Sequence, residues 1–362
     1  MIIIKASRQT ISNVIFSSFV ALAATIVAAR PAVAQQAEAA ERQPVAESGI
    51  DRTPSLHGTV RAKWEYQPDD DLNRFEVRNA RLSVDGRLTP VISYKAEIDL
   101  ADEGVIKMLD AYTRLAIAPG ASLTVGQMRV PFTIDAHRSP HQQYFANRSF
   151  IAKQVGNVRD VGLTAACRIG SLPFPVVVEA GLYNGRASLT DQKSQWHTGV
   201  SYSAKAQFLF APSLTFVAGT QTIKPNEVRI HLHDAGLAFD RNGLHLEAEY
   251  LFKRYADRLF ADVNAVNAFA AYRHPVHGVF SAVSWLARYD YMDDHFDGQA
   301  AIAAIAVTDY RRHRATCGLT LSLLKPFTSD IRINYERYFY RTGAVPKIGE
   351  QDKFVIELMA RF

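Results

Sequence analysis

Five basic residues fall within one stretch of the chain: Arg129, Arg138, Arg148, Lys153 and Arg159. The only acids among them are Asp135 and Asp160. A surplus of cations held beside a path attracts anions and raises their local concentration. His137 and His141 lie in the same stretch and are expected to add positive charge at low pH. The chain's other chemically suggestive residues point nowhere as definite. His231 and His233 form a His-x-His pair, and His274 and His277 lie close together, but two ligands do not make a metal site. No G-x-S-x-G nucleophile motif accompanies them. Neither an enzyme nor a cofactor is called for.

The cationic stretch, "VPFTIDAHRSPHQQYFANRSFIAKQVGNVRD", also carries Phe132, Ile134, Tyr144, Phe145, Phe150 and Ile151. A loop waving in solvent has no use for these side chains. Folding back into a cavity would bury them and would set the cations across a passage. The competing reading is a surface loop whose basic residues meet lipopolysaccharide.

The elements that must hold such a loop are strands. In "VISYKAEIDL", Ile92, Tyr94, Ala96, Ile98 and Leu100 share one face, and Ser93, Lys95, Glu97 and Asp99 share the other. A helix would scatter these charges, whereas a strand gathers them on one side. The same alternation runs through "WHTGVSYSAKAQFLF", "GLHLEAEYLFK" and "RATCGLTLSLL". Sixteen such segments follow: 55–65, 74–88, 91–101, 108–118, 121–129, 159–170, 175–184, 196–210, 213–222, 229–241, 243–254, 266–274, 277–290, 312–324, 328–341 and 352–362. Their connections alternate. Short, Pro-, Gly- and Asn-rich turns ("TP", "PG", "SLPF", "AP", Asn242, "PV", "KPF") exchange with longer stretches around 66–73, 102–107, 130–158, 185–195, 223–228, 255–265, 291–311 and 342–351.

Strands of about 9–11 residues, alternating faces, and short turns at one rim against long loops at the other describe a transmembrane β-barrel. The expected fold is all-β: a 16-stranded antiparallel barrel with short periplasmic turns and long extracellular loops. Lipid supplies no hydrogen-bond partners, so the sheet must close on itself. That explains the chain's end, "KFVIELMARF". Phe354, Ile356, Leu358 and Ala360 are expected to face lipid and Lys353, Glu357 and Arg361 water, while Val355 and Met359 break the pattern. Phe362 would sit at the periplasmic rim.

The inner faces are expected to line a water-filled lumen with Arg78, Arg81, Lys95, Arg114, Lys205, Arg312, Arg314 and Arg332, among acids such as Glu97, Asp99, Asp110, Glu247, Glu249 and Glu336. The phase shift between Arg78 and Arg81 predicts a bulge. Cys167 and Cys317 fall on the outer face and are expected to be unpaired thiols.

The other end of the chain fixes the compartment. "MIIIKASRQTISNVIFSSFVALAATIVAARPAVA" has Lys5 and Arg8, then an apolar run, then Ala32-Val33-Ala34. These are the parts of a secretory signal peptide, expected over 1–34. A polar linker is expected over 35–54 and the barrel over 55–362. The 41 basic residues outnumber 36 acidic ones, but Lys5, Arg8 and Arg30 belong to the signal, leaving 38 against 36. The basic balance is therefore no argument for nucleic-acid binding.

"VRNARLSVDGRL", "SYKAEIDL", "LDAYTRLAI", "LTVGQMRVPFTID", "RDVGLTAACRIG" and "VEAGLYNGRA" together resemble the phosphate-selective porin O and P family over roughly 74–186. The resemblance implies an outer-membrane barrel in a Gram-negative bacterium, a homotrimer, and a third long loop folded into the channel. It implies passage of small anionic solutes such as phosphate or polyphosphate, with Arg129, Arg138, Arg148 and Lys153 in the stretch that corresponds to the constricting loop; the loop's own charges add Arg159 to the expected constriction. The expected surroundings are outer-membrane lipid and lipopolysaccharide. A terminal aromatic such as Phe362 resembles the signal read by the outer-membrane assembly machinery. A non-selective general porin, and an outer-membrane barrel with an adhesive or enzymatic role, are the alternative readings.

Overall fold

The computed structural model describes residues 51–362 apart from 103–104, 155–158, 171, 186–199, 225–227, 297–306 and 324–327. The signal peptide expected at 1–34, most of the linker expected at 35–54, and His197 lie outside the described residues.

The strands are β1 (Ser55–Gln67), β2 (Leu72–Arg87), β3 (Ile92–Asp102), β4 (Val105–Ala118), β5 (Ala121–Arg129), β6 (Arg159–Ile169), β7 (Val176–Tyr183) and β8 (Ser201–Ala211). They continue with β9 (Leu214–Ile223), β10 (Ile230–Arg241), β11 (Leu244–Tyr255), β12 (Val263–Pro275), β13 (Phe280–Met292), β14 (Arg312–Leu323), β15 (Thr328–Tyr340) and β16 (Lys353–Arg361). Each pairs antiparallel with its sequence neighbour. β1 also pairs with β16, from Thr59 opposite Arg361 to Tyr66 opposite Phe354, so the sheet is a closed 16-stranded barrel. Closure removes the edge that an open sheet would expose.

Alternation sets the faces as the sequence predicts. In β3, Leu100 is exposed and Glu97 and Asp99 are buried inside. In β16, Phe354, Ile356 and Leu358 are exposed outward, and Lys353 and Glu357 are buried inward. Val355 and Met359 also point inward and are fully buried. The 140–142 turn of the long loop contacts β1 and β16, so part of this inner wall meets protein. The bulge expected near Arg78 is present: Arg61 stands opposite Asn79 and Ala62 opposite Val77, which leaves Arg78 as the extra residue on β2.

The first and last strands are joined by backbone beyond their paired residues. The Gly58 N–H donates to the Phe362 carbonyl at 2.9 Å, and the Phe362 N–H donates back at 3.1 Å. The Phe362 ring covers Gly58 so closely that a Cβ there would lie 2.2 Å from it. An aromatic laid over a strand glycine replaces the packing that the glycine lacks.

Two expectations about the connections need correction. β1 ends at Gln67 and β2 begins at Leu72, while β3 ends at Asp102 and β4 begins at Val105, so the strands reach into the stretches expected as long connections at 66–73 and 102–107. At the first, β1 and β2 pair as far as Gln67 opposite Leu72, and Arg74 bonds Glu65 at 2.7 Å. Cross-strand ion pairing there extends a hairpin where polarity alone suggested a loop.

Candidate functional site

The described part of the connection 130–158, residues 130–154, runs through the barrel interior. Leaving β5, it lies first on the β8–β11 wall, where the Ser203 hydroxyl donates to the Pro131 carbonyl at 2.7 Å. Phe132 sits over Gly219 and Ile134 over Gly236, two wall positions with no side chain to obstruct them. The Ile134 N–H donates to Glu249. Arg138 then pairs with Glu247, its Nη1 at 2.9 Å, and with Asp135 at 3.3 Å. A further turn at Pro140–Gln142 meets β1 and β16. The chain returns along β13–β15 into the short helix α1 (Phe150–Gln154), which packs on β12 and β13. Phe132, Phe150 and Ile151 join a buried apolar cluster with Ile230, Leu232 and Leu251. The aromatic and aliphatic residues of the loop are thus its anchors, as the sequence suggested.

Asp135 organises the loop from inside. Its carboxylate accepts from the Ser149 N–H at 3.1 Å and hydroxyl at 2.7 Å. Burial opposes its charge, but Arg138, Arg148 and Ser149 outweigh burial and hold the carboxyl at about 2. A valine at Gly236 is expected to cost about 1–3 kcal/mol through overpacking against Ile134. A Gly236→Val, Ile134→Ala double variant should recover most of that loss. Denaturation midpoints of the three proteins check this; a double variant no better than G236V would refute the contact.

The cations differ sharply in their partners. Arg129 donates to the His137 carbonyl and, at 3.2 Å, to the Ser139 hydroxyl. Arg148 donates to the carbonyls of Asp135, Ala136 and Arg138 at 3.1–3.3 Å. Neither has a carboxylate within ion-pair distance among the described residues. Arg148 is pushed down to about 10 by burial and by the charges of Arg81, Arg61 and Arg159, against the pull of Asp135. On the adjoining β2–β6 wall, Arg81 pairs with Asp99 at 2.8 Å, Lys95 with Glu97 and Asp110 at 2.6 and 2.9 Å, and Arg159 with Asp110 at 2.7 Å. Three cations there meet three carboxylates, and Arg129 and Arg148 add uncompensated positive charge.

The loop histidines gain charge at lower pH than their type alone suggests. Burial and the charges of Lys205, Arg129 and Arg159 hold His137 well below its usual range. Burial and Arg361 bring His141 down to about 4. Both are neutral at neutral pH, and His141 gains charge only as the pH falls to about 4.

The remaining predicted residues fall into three groups. Arg138, Arg159 and Lys153 are ion-paired, and Lys153, beside Glu350 at 2.7 Å, is more than half exposed. Arg78 is the bulge residue, Arg114 bonds the Thr124 hydroxyl at 3.1 Å near the short-turn rim, and Lys205 pairs with Glu179 at 3.2 Å. Arg312, Arg314 and Arg332 point inward as expected, yet they are buried against carboxylates beneath the loop: Glu350 at 3.2 Å, Asp290 at 2.8 Å and Glu357 at 2.6 Å. The loop covers the wall they would otherwise line. Arg61, Arg288, Gln143 and Asn334, not singled out from the sequence, prove to hold the loop. Arg61 was visible as the first member of the inward series Arg61, Lys63, Glu65. His233, His274 and His277 are exposed, and no group of three metal-ligating side chains occurs among the described residues. Cys167 and Cys317 are free thiols.

A closed 16-stranded barrel with a long loop laid inside it is the architecture of an outer-membrane porin. Several solved structures share it. An anion-selective porin from Comamonas acidovorans matches with a TM-score of 0.59 at 11% identity, covering 85% of this chain and 98% of that one. The outer membrane channel DcaP of Acinetobacter baumannii matches with a TM-score of 0.57 at 15% identity, covering 87% and 98%. At these identities the likeness is one of fold. No match is found among curated protein sequences. The profile of the family described as phosphate-selective porin O and P matches residues 56–270, and the chain belongs to that family. Family and fold together make this an outer-membrane channel protein.

Proposed function

We propose that the protein is a passive, anion-biased porin whose selectivity is set where loop 130–158 narrows the lumen. The observation that carries the reading is the state of Arg129 and Arg148: both are held by neutral oxygens, in a barrel where most inward cations already face carboxylates. Uncompensated cations beside water lower the energy of a passing anion and raise that of a cation. Arg114, bonded to a hydroxyl near the short-turn rim, extends the same bias. The family description supports phosphate or polyphosphate as the solute class. In this reading Arg138 and Arg159 shape the constriction while their charge is balanced, and Lys153 lies at its margin.

The long loops face the exterior and the short turns the periplasm, following removal of the signal peptide. The functional unit is a homotrimer; a Vibrio cholerae outer membrane protein of similar fold, OmpT, is described in a trimer form. Phe362, stacked at the closure seam, is the residue presented to the assembly machinery, and lipid and lipopolysaccharide surround the outer wall. Purified protein added to planar bilayers should give discrete, long-lived conductance steps. Absence of any conductance from correctly folded protein would refute the channel reading.

A further inference from the structure

We propose that Arg61 is a positioning residue of the constriction: it ties the loop to the seam where the barrel closes, so its guanidinium helps set the width of the passage. Arg61 lies on β1 and is 3% exposed. All five of its N–H donors are engaged. Nε and Nη2 reach the Glu357 carboxylate on β16 at 2.9 and 2.5 Å. Nη1 reaches the Asn79 side-chain oxygen on β2 at 3.3 Å and the Gln143 side-chain oxygen on the loop at 2.8 Å. The second Nη2 hydrogen goes to the Ala146 carbonyl, also on the loop, at 2.8 Å. One planar fork thus joins three adjacent strands to two points of the loop.

No smaller cation makes this set of bonds. A lysine has three donors around one point and cannot span a carboxylate, an amide and a carbonyl in fixed directions. The position matters as much as the chemistry. The β1–β16 contact is the pairing that turns a sixteen-stranded sheet into a barrel, and Glu357 stands on its far side. The loop's distal limb therefore has its socket only after closure. The inference rests on the proposed narrowing of the lumen by this loop, but not on the sign of the selectivity.

The test is single-channel recording of Arg61→Lys and Gln143→Ala in otherwise intact protein. R61K keeps the charge and loses the fork. Gln143→Ala removes one loop contact and leaves Arg61 bonded to Glu357 and Asn79. For R61K, the unitary conductance is expected to rise about twofold, with added open-channel noise, as the distal limb leaves its socket. Q143A should change the conductance in the same direction by less. A residue that merely stabilised the barrel would lower the yield of folded protein and leave each inserted channel at wild-type conductance. Wild-type conductance and noise in both variants would overturn the proposal. Should R61K fail to fold, Q143A alone decides, by the same criterion. A wild-type protein that conducts but prefers cations would contradict the proposed anion bias while leaving this inference standing.

Discussion

Replacing Arg129 and Arg148 together with alanine is expected to remove most of the proposed preference for anions. Each arginine is a unit charge on or at the entry to the loop, bonded to uncharged oxygens. A unit charge about 4 Å from a passing ion is worth ~1 kcal/mol in water-like surroundings. That corresponds to roughly a fivefold change in relative anion occupancy for each residue. The effect is largest at low ionic strength, because salt screens a charge in contact with solvent. The comparison that gives the result its meaning is Arg138→Ala combined with Glu247→Ala. That pair removes one charge of each sign from a bonded couple and should move the permeability ratio little. If the R129A/R148A protein kept the wild-type ratio, or the balanced pair shifted it equally, charge compensation would not be what separates these arginines.

The largest expected effect on stability comes from Glu357→Ala. This one carboxylate on β16 receives Arg61 from β1 and Arg332 from β15, at 2.5 and 2.6 Å. Both arginines and the glutamate are almost wholly buried. Removing the shared acid leaves two buried guanidinium groups, of which Arg332 keeps Asp330 at 3.6 Å as its remaining ion-pair partner among the described residues. Breaking a buried pair from one side costs about 3–5 kcal/mol, since the remaining charge loses its compensation in a poorly solvated place. Glu357→Gln, which retains an acceptor oxygen, should lose less than Glu357→Ala. Denaturant midpoints of folded protein measure both. A midpoint for E357A equal to that of the wild type would show that the cluster is solvated enough to dispense with its acid.

The two expectations differ in how far the sequence anticipates them. The strands are written in residues two apart: Ser93, Lys95, Glu97 and Asp99 against Tyr94, Ala96, Ile98 and Leu100. That rule gives the faces of these side chains, and away from the bulges the faces agree. The infolding of 130–158 is legible in the same way, because Phe132, Phe150 and Ile151 need a place to be buried. Partnership is another matter. Arg314 and Arg148 are equally basic on paper, but Arg314 meets Asp290 across a strand pair and Arg148 meets only carbonyls. Which acid stands opposite which base depends on register between strands far apart in sequence, as with Arg61 and Glu357. Alternation carries no information about it. The coverage of Arg312, Arg314 and Arg332 has the same origin: their faces follow from the pattern, but the loop that lies on them arrives from β5. His141 shows the converse, a residue whose charge was read from its type and is suppressed by Arg361 and its burial.

The central claim is that this barrel passes small ions with a bias set by cations that its own acids leave uncompensated. Its most direct test is the reversal potential of the wild-type channel in a planar bilayer under an asymmetric KCl gradient. A potential displaced toward the chloride equilibrium value is the predicted result. A potential near zero, or one displaced toward the potassium value, would contradict the account.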